Sequence, residues 1–127
     1  MNGPLSERRI LVVDDQEMVR TTSQRILEMD GFSCDGAGSV AEAKAQMAAT
    51  KYDLVLLDMY MPEQTGMALL SHIQAEHPGT AVIVVSAVID PDMVSEARRL
   101  GAAGYLLKPV RAGALRALVS KTLQMQG

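Results

Sequence analysis

Apolar residues in this chain follow two alternating rhythms. Ile10-Leu11-Val12-Val13, Leu54-Val55-Leu56-Leu57 and Ala81-Val82-Ile83-Val84-Val85 are short unbroken runs, the form of parallel strands buried on both faces. Between them, apolar positions recur at helical spacing. The first strand is expected over Arg9 to Val13. Glu17 to Asp30 then reads as a helix with Val19, Thr22, Ser23, Ile26 and Leu27 turned inward and Gly31 closing it. Phe32 to Gly36 is a short second strand, polar enough to be a sheet edge.

Ser39-Val40-Ala41-Glu42 has the form of a capping box, which starts a second helix over Val40 to Ala49 with Val40, Ala43 and Met47 inward. A third helix spans Gly66 to Glu76, packs Leu69, Leu70 and Ile73, and stops at Pro78-Gly79. The β-branched run Ala81 to Val85 belongs in the centre of the sheet. Asp90-Pro91 supplies an N-cap and a first-position proline for a fourth helix that uses Met93, Ala97 and Leu100 before Gly101. A fifth strand, Gly104 to Leu107, precedes a fifth helix from Ala112 to Gln124 with Leu115, Leu118, Val119 and Leu123 on one face. Gly113 weakens its first turn. Met1 to Glu7 shows no periodicity and is expected to be a disordered tail. Five strand-helix units with right-handed crossovers predict a single-domain α/β fold: a doubly wound, parallel five-stranded sheet in the order 2-1-3-4-5, over residues 8–124.

In that topology the strand ends carrying Asp14-Asp15, Asp58, Ser86 and Lys108 lie along one edge, where open α/β sheets bind ligands. Three carboxylates in one cleft raise one another's pKa unless a cation neutralises them. Oxygen donors favour a hard divalent ion, Mg²⁺ or Mn²⁺. With such an ion present, Asp58 can act as a nucleophile towards a phosphoryl donor, while Lys108 adds charge and Ser86 one hydroxyl donor. Taken singly, Asp15 reads as a helix cap, Lys108 as a solvated loop lysine and Ser86 as a turn residue. Their coincidence at four strand ends favours the chemical reading.

Pro62 and Gly66 follow Asp58 at offsets of four and eight residues, so the chain turns sharply around the carboxylate. Asp58-x-x-x-Pro62-x-x-x-Gly66, with Asp14-Asp15, Ser86-Ala87 and Lys108-Pro109, resembles the response-regulator receiver domain of two-component signal transduction. The resemblance covers residues 8–124 and implies a flavodoxin-like (βα)5 sandwich. It implies a phosphoacceptor at Asp58, charged by a sensor histidine kinase or a histidine phosphotransfer protein. It implies that Asp15 binds the metal directly and Asp14 through water, with Asp58 and the Tyr60 backbone carbonyl completing the protein ligands. It also implies a cis Lys108-Pro109 bond, and a switch in which Tyr105 turns inward when Ser86 moves towards the phosphoryl group. The output face would be the fourth helix, fifth strand and fifth helix, with a phosphorylation-dependent dimer as one outcome. Tyr60 and Val88 occupy positions expected to tune the lifetime of the acyl phosphate. Such a domain assists its own phosphorylation and dephosphorylation without a separate substrate, and so is not an enzyme in the usual sense. Ala103-Gly104 lacks the acidic pair common in winged-helix transcription regulators.

Composition narrows the alternatives. Aromatic residues make up 3%, so the core must be aliphatic. Net charge is −3, and basic residues are scattered apart from Arg8-Arg9 and Arg98-Arg99, a pattern that does not favour nucleic acid. No apolar run reaches the roughly 18 residues of a membrane span, and Met1 to Arg9 lacks a signal-peptide stretch, so a cytoplasmic location with no membrane partner is expected. Cys34, the single cysteine, excludes an internal disulfide and reads as a small buried hydrophobe. His72 and His77 fall on or just after the third helix, away from the cleft, and Met59, Met61 and Met67 flank the acceptor loop as core and loop filler. A phosphorylation-independent interaction module of the same fold is the main alternative. A flavodoxin-like cofactor carrier is disfavoured because Asp14-Asp15-Gln16-Glu17 would repel a phosphate. A phosphatase would need a second domain to cap its substrate.

Overall fold

The computed structural model describes residues 8–62, 65–88 and 90–126. The expected tail, Met1 to Glu7, lies outside them. Strands and helices alternate: β1 (Arg9–Val13), α1 (Glu17–Met29), β2 (Ser33–Ala37), α2 (Val40–Ala49), β3 (Leu54–Asp58), α3 (Gly66–Glu76), β4 (Ala81–Ser86), α4 (Pro91–Arg99), β5 (Gly104–Leu107) and α5 (Ala112–Gln126). The strands are parallel and ordered β2-β1-β3-β4-β5, as the pattern predicts.

Alternate residues of each inner strand face opposite sides of the sheet. On one side Leu11, Val13, Val55, Leu57, Val82 and Val84 pack against α2, α3 and α4 through residues such as Met47, Leu69, Ile73 and Ala97. On the other, Ile10, Val12, Leu54, Leu56, Ile83 and Val85 pack against α1 and α5 through Leu27, Leu115, Val119 and Leu123. Both faces are therefore dry, which is why these runs carry no polar alternation. Each fully buried aliphatic side chain contributes about 1.5–3 kcal/mol.

Register levels the strand ends. Val13 pairs with Leu57, Asp58 with Val85 and Ser86 with Leu107, so the residues just beyond sit side by side along one edge. Helix ends hold that frame. Gly31 (φ +96°) and Gly101 (φ +97°) occupy the left-handed position after α1 and α4. Each donates to the helix carbonyl three residues back, and the next amide reaches five back, from Phe32 to Leu27 and from Ala102 to Ala97. Asp90 caps α4 by accepting from Met93 N at 2.9 Å, and Ser39 caps α2 by accepting from Glu42 N at 3.1 Å. The Glu42 carboxylate closes that box on the amide of Gly38.

Several boundaries differ from the expectation. Thr22 is exposed: α1 buries a narrower stripe, centred on Ser23 and Leu27. Phe32 precedes β2 because its amide belongs to the α1 cap, while its ring is buried. β4 is interior but β3 holds the centre of the sheet. Asp58 and Ser86 are the last buried residues of their strands rather than the first residues of loops.

Candidate functional site

The strand ends bring Asp14, Asp15, Asp58, Ser86 and Lys108 to one edge, and the first three offer carboxylate oxygens all within 4.8 Å of one another. Asp14 and Asp58 are buried, whereas Asp15 is exposed. Asp14 is tightly held. Its N–H donates to Ala37 O at 3.0 Å, its Oδ1 accepts from Gln16 N at 2.9 Å, and its backbone carbonyl accepts from Arg20 Nη1 at 2.8 Å. Asp58 Oδ1 accepts from Tyr60 N at 3.3 Å.

Lys108 serves both buried acids. Its Nζ lies 3.1 Å from Asp14 Oδ2 and 3.4 Å from Asp58 Oδ2. Its backbone N–H donates to Ser86 O at 2.9 Å, which anchors the start of the β5–α5 connection to the end of β4. The Lys108-Pro109 bond is cis. Burial disfavours the ammonium's charge, but Asp14 and Asp58 outweigh it and hold the pKa above the ordinary lysine value. Burial, reinforced by the charge of Asp14, pushes the Asp58 carboxyl up to about 6, with Lys108 and the Tyr60 amide pulling the other way. One ammonium thus serves two buried carboxylates, with the exposed Asp15 carboxylate beside them.

The backbone around Asp58 is braced from behind. Met59 N–H donates to Val85 O at 2.9 Å and Gly66 N–H to Met59 O at 2.7 Å. A Cβ on Gly66 would stand 2.7 Å from Asp58 O and 2.9 Å from Met59 Cα, so this position admits only glycine without moving the backbone beside the carboxylate. Pro62, with Asp15, Gly38, Ser39 and Met61, lines a cavity of about 330 Å³ beside the cluster. The Tyr60 side chain is exposed.

Ser86 is fully buried, and its hydroxyl hydrogen-bonds to the loop rather than to the acids: it donates to Val88 O at 2.6 Å and accepts from Val88 N at 3.1 Å. Tyr105 is half-buried. Its hydroxyl donates to Val94 O at 3.2 Å and accepts from Arg98 Nε at 3.4 Å, with the guanidinium carbon 5.9 Å from the ring centroid, so it ties β5 to α4. His72 and His77 lie on α3 and its C-cap, their rings 5.8 Å apart, and neither joins the acidic group. Cys34 is only partly buried, against the expectation of a buried one; that burial, aided by Glu28 and Asp35, pushes its thiol up to about 12. Neither the Arg20 contact nor Val88 as the partner of the Ser86 hydroxyl is legible in the sequence pattern. The signal for the Arg20 contact is Gly36, since a glycine in a strand often marks close approach of another group.

The family model for the response regulator receiver domain matches residues 10–120 of the chain. The chain belongs to that family. The receiver is 34% identical over 122 residues to the response regulator protein PilR of Pseudomonas aeruginosa, a match covering 96% of this chain and 27% of PilR. It therefore spans about a quarter of that relative's length. The crystal structure of a CheY-like receiver domain protein from Methanospirillum hungatei JF-1 superposes with a TM-score of 0.90 at 28% identity, covering 94% of this chain and 95% of the other. The solution structure of the beryllofluoride-activated NtrC4 receiver domain dimer gives 0.88 at 27% identity, covering 94% and 98%. As a receiver, the chain is a signalling domain of two-component systems. Among the described residues no helix is long and apolar enough to cross a membrane.

Proposed function

We infer that Asp58 is the phosphoacceptor of this receiver, within a domain extending over residues 8–124. The observation that carries this is the placement of a buried carboxylate at the end of β3, against Asp14, Asp15 and Lys108. The donor set is oxygen alone, and two of its acids are buried against a single ammonium, which suits a hard divalent cation. Asp14, Asp15, Asp58 and the backbone carbonyl of Tyr60 would hold Mg²⁺ or Mn²⁺. When bound, the ion supplies positive charge opposite the phosphoryl oxygens.

The chain's own residues do the rest. Above about pH 6 Asp58 is mainly ionised even without metal, so an Oδ lone pair is available. That oxygen attacks phosphorus, a P–O bond forms, and the bond from phosphorus to the donor breaks with the electron pair leaving on the donor. Lys108 then faces the added phosphoryl oxygens, and Ser86 exchanges Val88 O for one of them. Tyr105 follows inward, altering the α4-β5-α5 face that engages the output partner. Hydrolysis of the acyl phosphate resets the switch, so the domain assists its own phosphorylation and dephosphorylation and turns over no separate substrate.

The donor is a sensor histidine kinase or a histidine phosphotransfer protein. An apolar groove of about 540 Å³ lined by Met18, Val19, Ile26, Pro109 and Val110 leads to Lys108 and suits a donor helix carrying the phosphohistidine. The similarity to the NtrC4 dimer supports a phosphorylation-dependent dimer as one output.

Intact-mass spectrometry after incubation with acetyl phosphate and Mg²⁺ tests the reading. A metal-dependent gain of one phosphoryl group, absent in Asp58→Ala and after EDTA, is expected. No adduct at early times, and none with beryllofluoride, would favour the phosphorylation-independent interaction module.

A further inference from the structure

We propose that Arg20 is a positioning residue for the acidic site: it clamps the Asp14-Asp15 peptide plane, and glycines at 36, in β2, and at 38, just after it, make room for it. The inference rests on the metal reading above and extends it to a residue outside the ligand set. Arg20 lies in α1, six residues after Asp14, and its Nη1 donates to the Asp14 carbonyl at 2.8 Å. The same turn is pinned at Asp14 N by Ala37 O and at Asp14 Oδ1 by Gln16 N.

A peptide unit is planar, so fixing the Asp14 carbonyl also fixes the amide of Asp15. That fixes the Asp15 N–Cα bond, the base from which its side chain leaves the backbone. Asp15 needs this support, because it is exposed and no hydrogen bond or ion pair among the described residues holds its carboxylate. Arg20 itself forms no ion pair with a carboxylate among the described residues; its partner is the backbone carbonyl of Asp14.

The path to that carbonyl crosses β2. A Cβ on Gly36 would lie 2.9 Å from Arg20 Cδ, 3.1 Å from its Nε and 2.5 Å from Gln24 Oε1, and one on Gly38 would lie 3.3 Å from Arg20 Nη1. Two glycines in or beside a five-residue edge strand weaken that strand. Their placement under one arginine stem gives the cost a structural reason.

Charge and geometry make opposite predictions. A cationic side chain near a cation site repels the ion, so removing Arg20 for electrostatic reasons alone would tighten Mg²⁺ binding. Loss of a residue that orients a ligand weakens it, by about tenfold or more.

The test is isothermal titration calorimetry of the full chain with Mg²⁺, since the chain has no tryptophan to report binding. Arg20→Ala and Gly36→Ala are each expected to weaken binding about tenfold, and the double variant is expected to lose no more than either alone. Arg20→Lys, which retains a cationic N–H donor group, recovers part of the affinity, and Arg25→Ala on the same helix leaves it unchanged. Wild-type affinity or better in Arg20→Ala, or full additivity in the double variant, overturns the clamp. If Arg20→Ala does not fold, Gly36→Ala and Arg20→Lys decide the question. A wild-type chain that takes up no Mg²⁺ overturns the metal reading, and the clamp with it.

Discussion

The hydroxyl of Ser86 is closed on the backbone of Val88, donating to its carbonyl at 2.6 Å and accepting from its amide at 3.1 Å. Engaging a phosphoryl oxygen therefore requires the β4–α4 connection to release this contact. Ser86→Ala is expected to lower stability by about 0.5–1.5 kcal/mol, because the Val88 groups become free to bond water. Phosphoryl uptake at Asp58 should survive at a reduced rate. The amide chemical-shift changes that reach α4 and Tyr105 on phosphorylation should largely disappear. Unchanged spectra between the phosphorylated wild type and variant would show that Ser86 is not the relay.

The titration of Asp58 carries a stability signature in metal-free protein. Its carboxyl is pushed up to about 6 from 3.8, chiefly by burial and by Asp14. For an acid raised on folding, the favourable contribution is fully present below the lower value and is lost as pH rises through the higher one. At pH 7 the ionised group consequently costs the fold up to about 3 kcal/mol relative to low pH. Asp58→Asn should melt above wild type at neutral pH without Mg²⁺, and the gap should close as pH falls from about 6 to 4. A gap that widens on acidification would contradict the burial argument.

Gly66 offers a test of the loop's backing. A methyl group there meets Asp58 O and Met59 Cα, both backbone atoms that cannot rotate aside. Gly66→Ala is expected to cost about 1–3 kcal/mol in urea denaturation and to reduce phosphoryl uptake by displacing the carboxylate. Gly113→Ala, in the first turn of α5 with nothing within 4 Å of its added carbon, should be neutral or stabilising by up to about 1 kcal/mol.

Tyr105 is held by long hydrogen bonds at 3.2 and 3.4 Å, the geometry of a contact that can be exchanged. Tyr105→Phe should cost no more than about 1 kcal/mol and leave uptake of phosphate at Asp58 intact. Binding of the output partner, or dimer formation in the presence of beryllofluoride, should change. Equal dimerisation of wild type and variant by analytical ultracentrifugation would remove Tyr105 from any dimerisation switch.

Much of this molecule is written in its pattern. Unbroken apolar runs such as Leu54 to Leu57 announce strands covered on both faces, because a residue pointing either way meets a helix. Gly31 and Gly101 announce helix ends, because their left-handed conformations are costly for any other residue type. A parallel sheet sends all strand ends to one edge, so the gathering of Asp14, Asp15, Asp58, Ser86 and Lys108 follows from order alone.

Other properties depend on distances between residues far apart in the chain. The exposed Thr22 belongs to a helical stripe whose width is set by the packing of α1, not by its own periodicity. The direction of the Ser86 hydroxyl, the glycine-lined path of Arg20 across β2 and the raised pKa of Asp58 all arise from close approach and exclusion of water. Periodicity encodes which face of an element is buried, and so determines the fold and the edge that holds the site. Desolvation and atom-to-atom contact exist only after that burial, and so the orientation and the electrostatics of the site were decided by the tertiary structure.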